Sequence, residues 1–287
     1  MPPLTPASAT RRRAQRLLRV PAIVTGLVLV AVYAALGIFA PWISPHDPND
    51  QDLLATLQPP SGAHWFGTDD LGRDLASRVI VAARADLTIV VLGILLSLVI
   101  AMPVGLVAGF VGGRTDRLLI GVSDAALTFP SLVLAVVLVS LFGAGLHSVI
   151  VAVGLTTAPA LARLIRSLVL TTAGTEYVDA ARALGASPMR LIRRHILPNI
   201  GGRIIVYTTL MGSTTMLTVT ALGFLGLGVQ PPAAEWGNML VTTRTYLATA
   251  SWLLVAPGAA IVFFILGLNL LGDGLRDLFD PKLLWRP

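Results

Sequence analysis

Residues 176–199 read EYVDAARALGASPMRLIRRHILPN, an arginine-rich, helix-prone stretch held between two strongly apolar spans. A chain that interrupts its spans in this way presents a water-compatible surface outside the bilayer. Glu176 and Asp179 fall in the first turn of an expected helix, where carboxylates complement the helix dipole. Asp179-Ala180-Ala181 carries small side chains, which let another protein's surface approach the backbone. Gly185 suits the left-handed position that ends a helix. Ser187-Pro188 opens a second helix, with Ser as N-cap and Pro at the first helical position. Leu191, Ile192 and Ile196 give that helix an apolar side, Arg190, Arg193 and Arg194 face water or lipid phosphates, and Pro198 is expected to close it.

Outward from this stretch the chain is lipid-like. Of its 287 residues 55% are hydrophobic and 13% charged, against about 25% charged in soluble domains. The mean hydropathy is +0.79. With no cysteine there are no disulfides and no thiolate metal sites. Lys282 is the sole lysine, so the net charge of +6 is carried by arginine. These arginines flank apolar spans rather than forming one face, so nucleic acid is not the expected partner.

Apolar windows predict an all-α membrane protein with six transmembrane helices, near 21–41, 86–110, 118–142, 147–169, 204–228 and 251–272. Each window reaches about 20 residues, enough for a helix to satisfy its own backbone across the hydrocarbon. The run from Val20 to Trp42 exceeds the roughly 7–15 apolar residues of a signal peptide and reads as a retained first span. Pro130 is expected to break the third span and Pro159 the fourth. Gly105, Gly109, Gly112, Gly223, Gly226 and Gly228 supply the small residues that let membrane helices approach closely.

The distribution of Lys and Arg predicts orientation. With both termini in the cytoplasm, the N-terminal arginines, Arg114, Arg117, the seven from Arg163 to Arg203, and Arg276, Lys282 and Arg286 lie inside. Only Arg73, Arg78, Arg84 and Arg244 lie outside. The chain then divides into an Arg-rich cytoplasmic segment 1–20, a first span and external loop 21–85, and a membrane domain 86–287 containing the cytoplasmic loop 176–199. Residues 69–83, with Leu71, Leu75, Val79 and Ala82 at helical spacing, are expected to form a short amphipathic helix at the outer interface.

The chain carries no recognisable engine. A P-loop needs Gly-x-x-x-x-Gly-Lys-Ser/Thr, and Lys282 is followed by Leu283 and Leu284. Neither H-E-x-x-H nor G-x-S-x-G occurs. His46, His64, His147 and His195 are scattered over both sides of the predicted membrane and read as loop or interface residues, so no catalytic residue and no metal site are expected. A proton-coupled secondary carrier needs ionisable groups at mid-membrane. The only carboxylates in the spans are Asp124, expected to pair with an arginine such as Arg117 near the cytoplasmic ends, and Asp86, read as a helix-end residue. Ser140, Thr214, Thr215, Thr218 and Asn269 either line a path or bridge helices; substrate-binding residues stay unassigned.

Asp179-Ala180-Ala181, Gly185 and His195-Ile196-Leu197-Pro198 resemble the EAA loop of importer permeases of the ATP-binding-cassette class, with Asp179 where that family carries Glu. HWFGTDDLGRD (64–74), FLGLGVQPPAAEWGNML (224–240) and NLLGDGLRDLFDP (269–281) are similar to segments of the C-type permeases of dipeptide and oligopeptide systems, as is the pattern of Asp116, Asp124, Phe129 and Pro130. Ala234-Glu235 stands where that family often has Pro-Ser. The resemblance implies the type I importer permease fold and a bacterial cytoplasmic membrane location. It implies that Glu176, Asp179, Ala180, Ala181, Gly185, Ile196, Leu197 and Pro198 form an ATPase-coupling loop. The implied partners are a second permease, two ATP-binding subunits or one fused ATPase, and an external peptide-binding protein. ATP and Mg would be bound by the ATPases, with no cofactor in this chain. The solute would be a di- or oligopeptide, with nickel, glutathione or another small solute as the alternative.

Overall fold

The computed structural model describes residues 21–279, and among them every regular element is a helix. The N-terminal arginines, Lys282 and Arg286 lie outside the described residues. Helix α1 spans Pro21–Ile43, α2 Leu75–Val111, α3 Gly113–Leu127, α4 Ser131–Phe142 and α5 Leu146–Ala173. Next come α6 (Glu176–Ala183), α7 (Pro188–Leu191), a π turn (Ile192–Ile196), α8 (Leu197–Phe224), α9 (Trp236–Tyr246) and α10 (Trp252–Phe279). Five stretches are long and apolar enough to cross a membrane: α1, α2, α5, the continuous run Pro188–Phe224, and α10. A sixth span results if α3 and α4 count as one, although they meet at 90°. Helix α4 has 12 residues, about 18 Å, too short alone for a hydrocarbon layer of about 30 Å. Pro130 sits at this bend as its N-cap, so the expected break in the third span is real.

The centre of the bundle is the α2–α5 pair. Gly93, Ser97, Ala101, Gly105 and Gly109 recur every four residues on α2 and are all buried. That spacing makes one ridge along the helix. A Cβ at Gly105 would lie 2.7 Å from the Ala162 carbonyl, and one at Gly109 2.9 Å from that of Arg166. The two backbones therefore touch, which is how small residues hold membrane helices together. Helix α1 packs on α10 and α2, and α10 on α8.

Three expectations are corrected. Pro159 does not break its span, because α5 is continuous from Leu146 to Ala173; packed neighbours tolerate a proline inside a membrane helix. Pro198 does not close its helix. The Leu197 N–H bonds the Ile192 carbonyl, five residues back, and this π turn absorbs the proline so that the chain runs on to Phe224. Residues 69–83 do not form a separate interfacial helix. Asp69–Asp74 is a turn closed by a Thr68–Asp74 bridge. Asp74 then caps α2, accepting from the Ser77 N–H at 2.8 Å, and the helix runs without interruption into the span. Leu75, Val79 and Ala82 are buried in protein.

Candidate functional site

The two ends of the bundle differ. At one end α6, α7 and the π turn form an elbow. Glu176 and Asp179 sit in the first turn of α6, as charge complementarity requires. Helix α6 ends in a Schellman pattern: the Ala186 N–H bonds the Ala181 carbonyl and the Gly185 N–H that of Arg182. Gly185 has φ +82, is exposed, and would place a Cβ in open space. Ser187 caps α7 by accepting from the Arg190 N–H, with Pro188 in the first turn.

Two sets of residues separate on this elbow. Asp179 and Ala180 face outward, Ala181 is half-buried, and Asp179 pairs with Arg182 one turn on at 2.7 Å. Around them Leu184 is 89%, Met189 59% and Tyr177 44% exposed. Facing the bundle, Val178, Leu191 and Ile196 are buried. Ile196 and Ile200 join a core with Leu161, Ile165 and Val169 of α5 and Ala101 of α2, and Leu197 packs against it. Pro198 is exposed. The Asn199 amide donates to the Tyr177 hydroxyl, and the Tyr177 ring lies 6.3 Å from that of His195. The elbow thus exposes Tyr177, Leu184 and Met189 among charged side chains such as Asp179, Arg182 and Arg190, while its inner side is packed against the long helices.

Ion pairs hold α3 to α5. Arg166 grips Asp116 with two bonds, of 2.5 and 2.6 Å, a fork that fits a carboxylate. Asp124 pairs with Arg163, not with Arg117, which is exposed and has no acidic partner among the described residues. The expected arginine pairing is correct in kind, but its partner comes from α5 because α3 lies along that helix.

The opposite end holds a buried polar network that sequence reasoning missed. Asp86 is no helix-end residue: it lies eleven residues into α2 and is fully buried. Its Oδ2 accepts from the Trp236 N–H at 3.1 Å, and the Trp236 indole donates to the Val79 carbonyl at 2.9 Å. Glu235 caps α9, accepting from the Gly237 and Asn238 N–H groups at 2.7 and 2.9 Å. Burial pushes the Glu235 carboxyl up to about 7, against the pull of those two N–H donors and of Asp86. The rings of Tyr33, Trp236 and Phe264 meet edge-on or tilted at 5.4–6.2 Å. Nearby, Arg78 donates to the Pro48 carbonyl at 2.9 Å and Asp69 pairs with Arg73 at 2.7 Å. Burial opposes charge on Asp74, yet hydrogen bonds from Ser77 hold its carboxyl below the ordinary range. The Ala234-Glu235 departure was visible in sequence; nothing local tied it to Asp86.

The polar residues inside the spans mostly serve the helices. Ser213 donates to Asn269 at 2.9 Å across α8 and α10. Thr214 and Thr218 bond carbonyls of their own helix, Thr215 is buried without a partner, and Ser140 is exposed.

A bundle of apolar helices with a buried polar network at one end and an exposed elbow of short helices at the other defines a multi-span membrane protein. Residues 101–285 match the family described as binding-protein-dependent transport system inner membrane component, and this chain belongs to it. Residues 8–60 match the N-terminal transmembrane domain of oligopeptide transport permease C. The di/tripeptide transport system permease protein DppC of Pseudomonas aeruginosa is 42% identical over 90% of this chain and 87% of its own length. The probable D,D-dipeptide transport system permease protein DdpC of Escherichia coli is 41% identical over 91% and 88%. The glutathione transport system permease protein GsiD of Pectobacterium atrosepticum is 37% identical over 94% and 90%.

Proposed function

We propose that this chain is one of two permease subunits of an ATP-driven importer that moves di- or oligopeptides across a bacterial cytoplasmic membrane. The observation that carries the coupling role is the elbow: Leu184, Met189 and Tyr177 are exposed around Asp179 and Ala180, while Ile196 and Ile200 lock the same segment into α2 and α5. An exposed apolar patch with a polar rim marks a protein-docking surface. ATP and Mg are bound by separate ATPase subunits, whose approach draws the elbows of the two permeases together. The α2–α5 pair then turns with the elbow, opening the path toward the external binding protein, and hydrolysis restores the inward-facing state. The arginine distribution supports six spans, with α3–α4 as one bent span and both termini in the cytoplasm. The peptide relatives support the solute class, and the glutathione relative supports a second reading within it, a tripeptide-like thiol.

The test replaces Gly185 with Trp in the assembled transporter and follows labelled dipeptide and labelled glutathione. Left-handed backbone at a non-glycine residue costs about 1–2 kcal/mol, and the ring projects from the docking surface. Uptake should fall at least tenfold with the chain still inserted and assembled. Normal uptake would remove the elbow from the coupling role, and uptake of glutathione alone would select the second solute.

A further inference from the structure

Between α1 and α2 the loop returns on itself and brings His46, His64 and Asp74 together, with their donor atoms all within 4.8 Å of one another. The Nδ1 of His64 lies 2.9 Å from Asp74 Oδ1, and the Nδ1 of His46 lies 3.7 Å from Oδ2. The two imidazole rings are 5.0 Å apart. Metal–ligand bonds of about 2.0–2.2 Å place the ligand atoms of a tetrahedral zinc site about 3.3–3.5 Å apart. The two histidines reach different oxygens of Asp74, one in a hydrogen bond that a cation would replace, so small side-chain shifts bring the three donors to that spacing.

The cluster is held from behind. Ser77 donates its N–H and its hydroxyl to Asp74 Oδ2, at 2.8 and 2.7 Å. The same hydroxyl accepts from the backbone N–H of His46 at 3.0 Å. One serine therefore orients the carboxylate and sets the loop that carries the first imidazole. His64 is fixed by a two-way bond with Ser61, through its N–H to the Ser61 hydroxyl and its carbonyl from the Ser61 N–H. Outer contacts of this kind hold ligands in place in metal sites. The Asp74 side chain is buried, that of His64 is partly covered, and that of His46 is 45% exposed, so the cluster opens to solvent on the His46 side. The positive end of α2 works against a cation here, and the Asp74 carboxylate offsets it.

We propose that His46, His64 and Asp74 form a binding site for a divalent transition cation of the zinc class, on the loop that joins α1 to α2. Two imidazole nitrogens and one carboxylate suit zinc, copper or nickel, whereas calcium and magnesium require sets of oxygen ligands. Water or a donor from a bound partner completes the coordination on the open side. A bound ion ties residue 46, just past α1, to the N-cap of α2, so it fixes the outer ends of two helices to each other.

The test uses the full, tag-free chain in detergent, stripped with EDTA and titrated calorimetrically with zinc chloride, with cobalt chloride as a spectroscopic probe. One ion per chain should bind, and the cobalt complex should show tetrahedral visible absorption. His46→Ala with His64→Ala should weaken binding at least 100-fold, and His147→Ala with His195→Ala should leave it unchanged. Ser77→Ala keeps all three ligands and should weaken binding about 10–100-fold. Zinc should raise the thermal midpoint of the wild-type chain above its own EDTA baseline and leave the His46 and His64 double variant at its own, lower baseline, since that variant also loses the His64–Asp74 hydrogen bond. No saturable binding by the wild-type chain, or equal binding by the double variant, overturns the site.

Discussion

The elbow and the opposite end of the bundle are both built on short helices, α6 and α9, yet they treat their side chains in opposite ways. Helix α9 is drawn inward: Trp236 and Glu235 are fully buried, and each finds hydrogen-bond partners on its own helix or on α2. Helix α6 turns outward: Leu184 beyond its end and Tyr177 near its start stay exposed. Buried polar groups are mostly satisfied within a chain, and the α9 end does this for Trp236 and Glu235 while leaving Asp86 Oδ1 and Thr243 Oγ1 buried without partners. An exposed Leu184 gains little from packing within this chain, which is what the proposed docking role of the elbow would use.

Breaking the closed end should have the largest effect on stability. Trp236→Ala removes a buried ring packed on Tyr33 and Phe264 and the indole bond to Val79. A loss of about 3–5 kcal/mol is expected, read as a large fall in the thermal midpoint in detergent; a fall no greater than for an exposed substitution would mean that α9 does not pin the bundle.

Leu184→Asp breaks the open end and should separate function from folding. The side chain has almost no internal packing, so stability should change by no more than about 0.5 kcal/mol. Peptide uptake by the assembled transporter should drop at least tenfold, equivalent to about 1.4 kcal/mol. Loss of stability and uptake together would make the elbow a structural element rather than a docking surface.

Glu235→Gln sharpens the contrast through pH. A carboxyl raised from 4.5 to about 7 by burial keeps its proton in the folded chain when the unfolded chain has released it. Its stabilising contribution is therefore complete below about pH 4.5 and is lost as pH rises through about 7, on the order of 1–3 kcal/mol. Glutamine keeps an acceptor for only one of the Gly237 and Asn238 N–H groups, which lowers stability at every pH, but it does not titrate. The variant's thermal midpoint should be flatter between pH 4.5 and 7 than that of the parent; identical slopes would place the titration elsewhere.

Much of the architecture was legible along the chain. The apolar windows found every long span, because hydropathy over about 20 residues is a local quantity. The ends of α6 and α7 were legible as well, since Gly185, Ser187 and Pro188 act on their own backbone. The prolines were less so. Pro130 bends the chain, while Pro159 and Pro198 do not stop it. A proline removes one backbone bond, and packed neighbours or a π turn decide whether the helix survives.

The sequence by itself determined a membrane bundle with an arginine-rich elbow, and its motifs pointed to the family. Hydropathy, capping chemistry and the EAA-like spacing all act or are read within a few residues of chain. Only the tertiary structure decided which side chains meet. Asp86 lies 150 residues from Trp236, and Asp116 lies 50 from Arg166. His46 and His64, read one at a time as loop residues, converge on Asp74. Such pairs leave no periodic trace, because a charged or metal-ligating group can be satisfied by any partner that the packing of other helices happens to deliver.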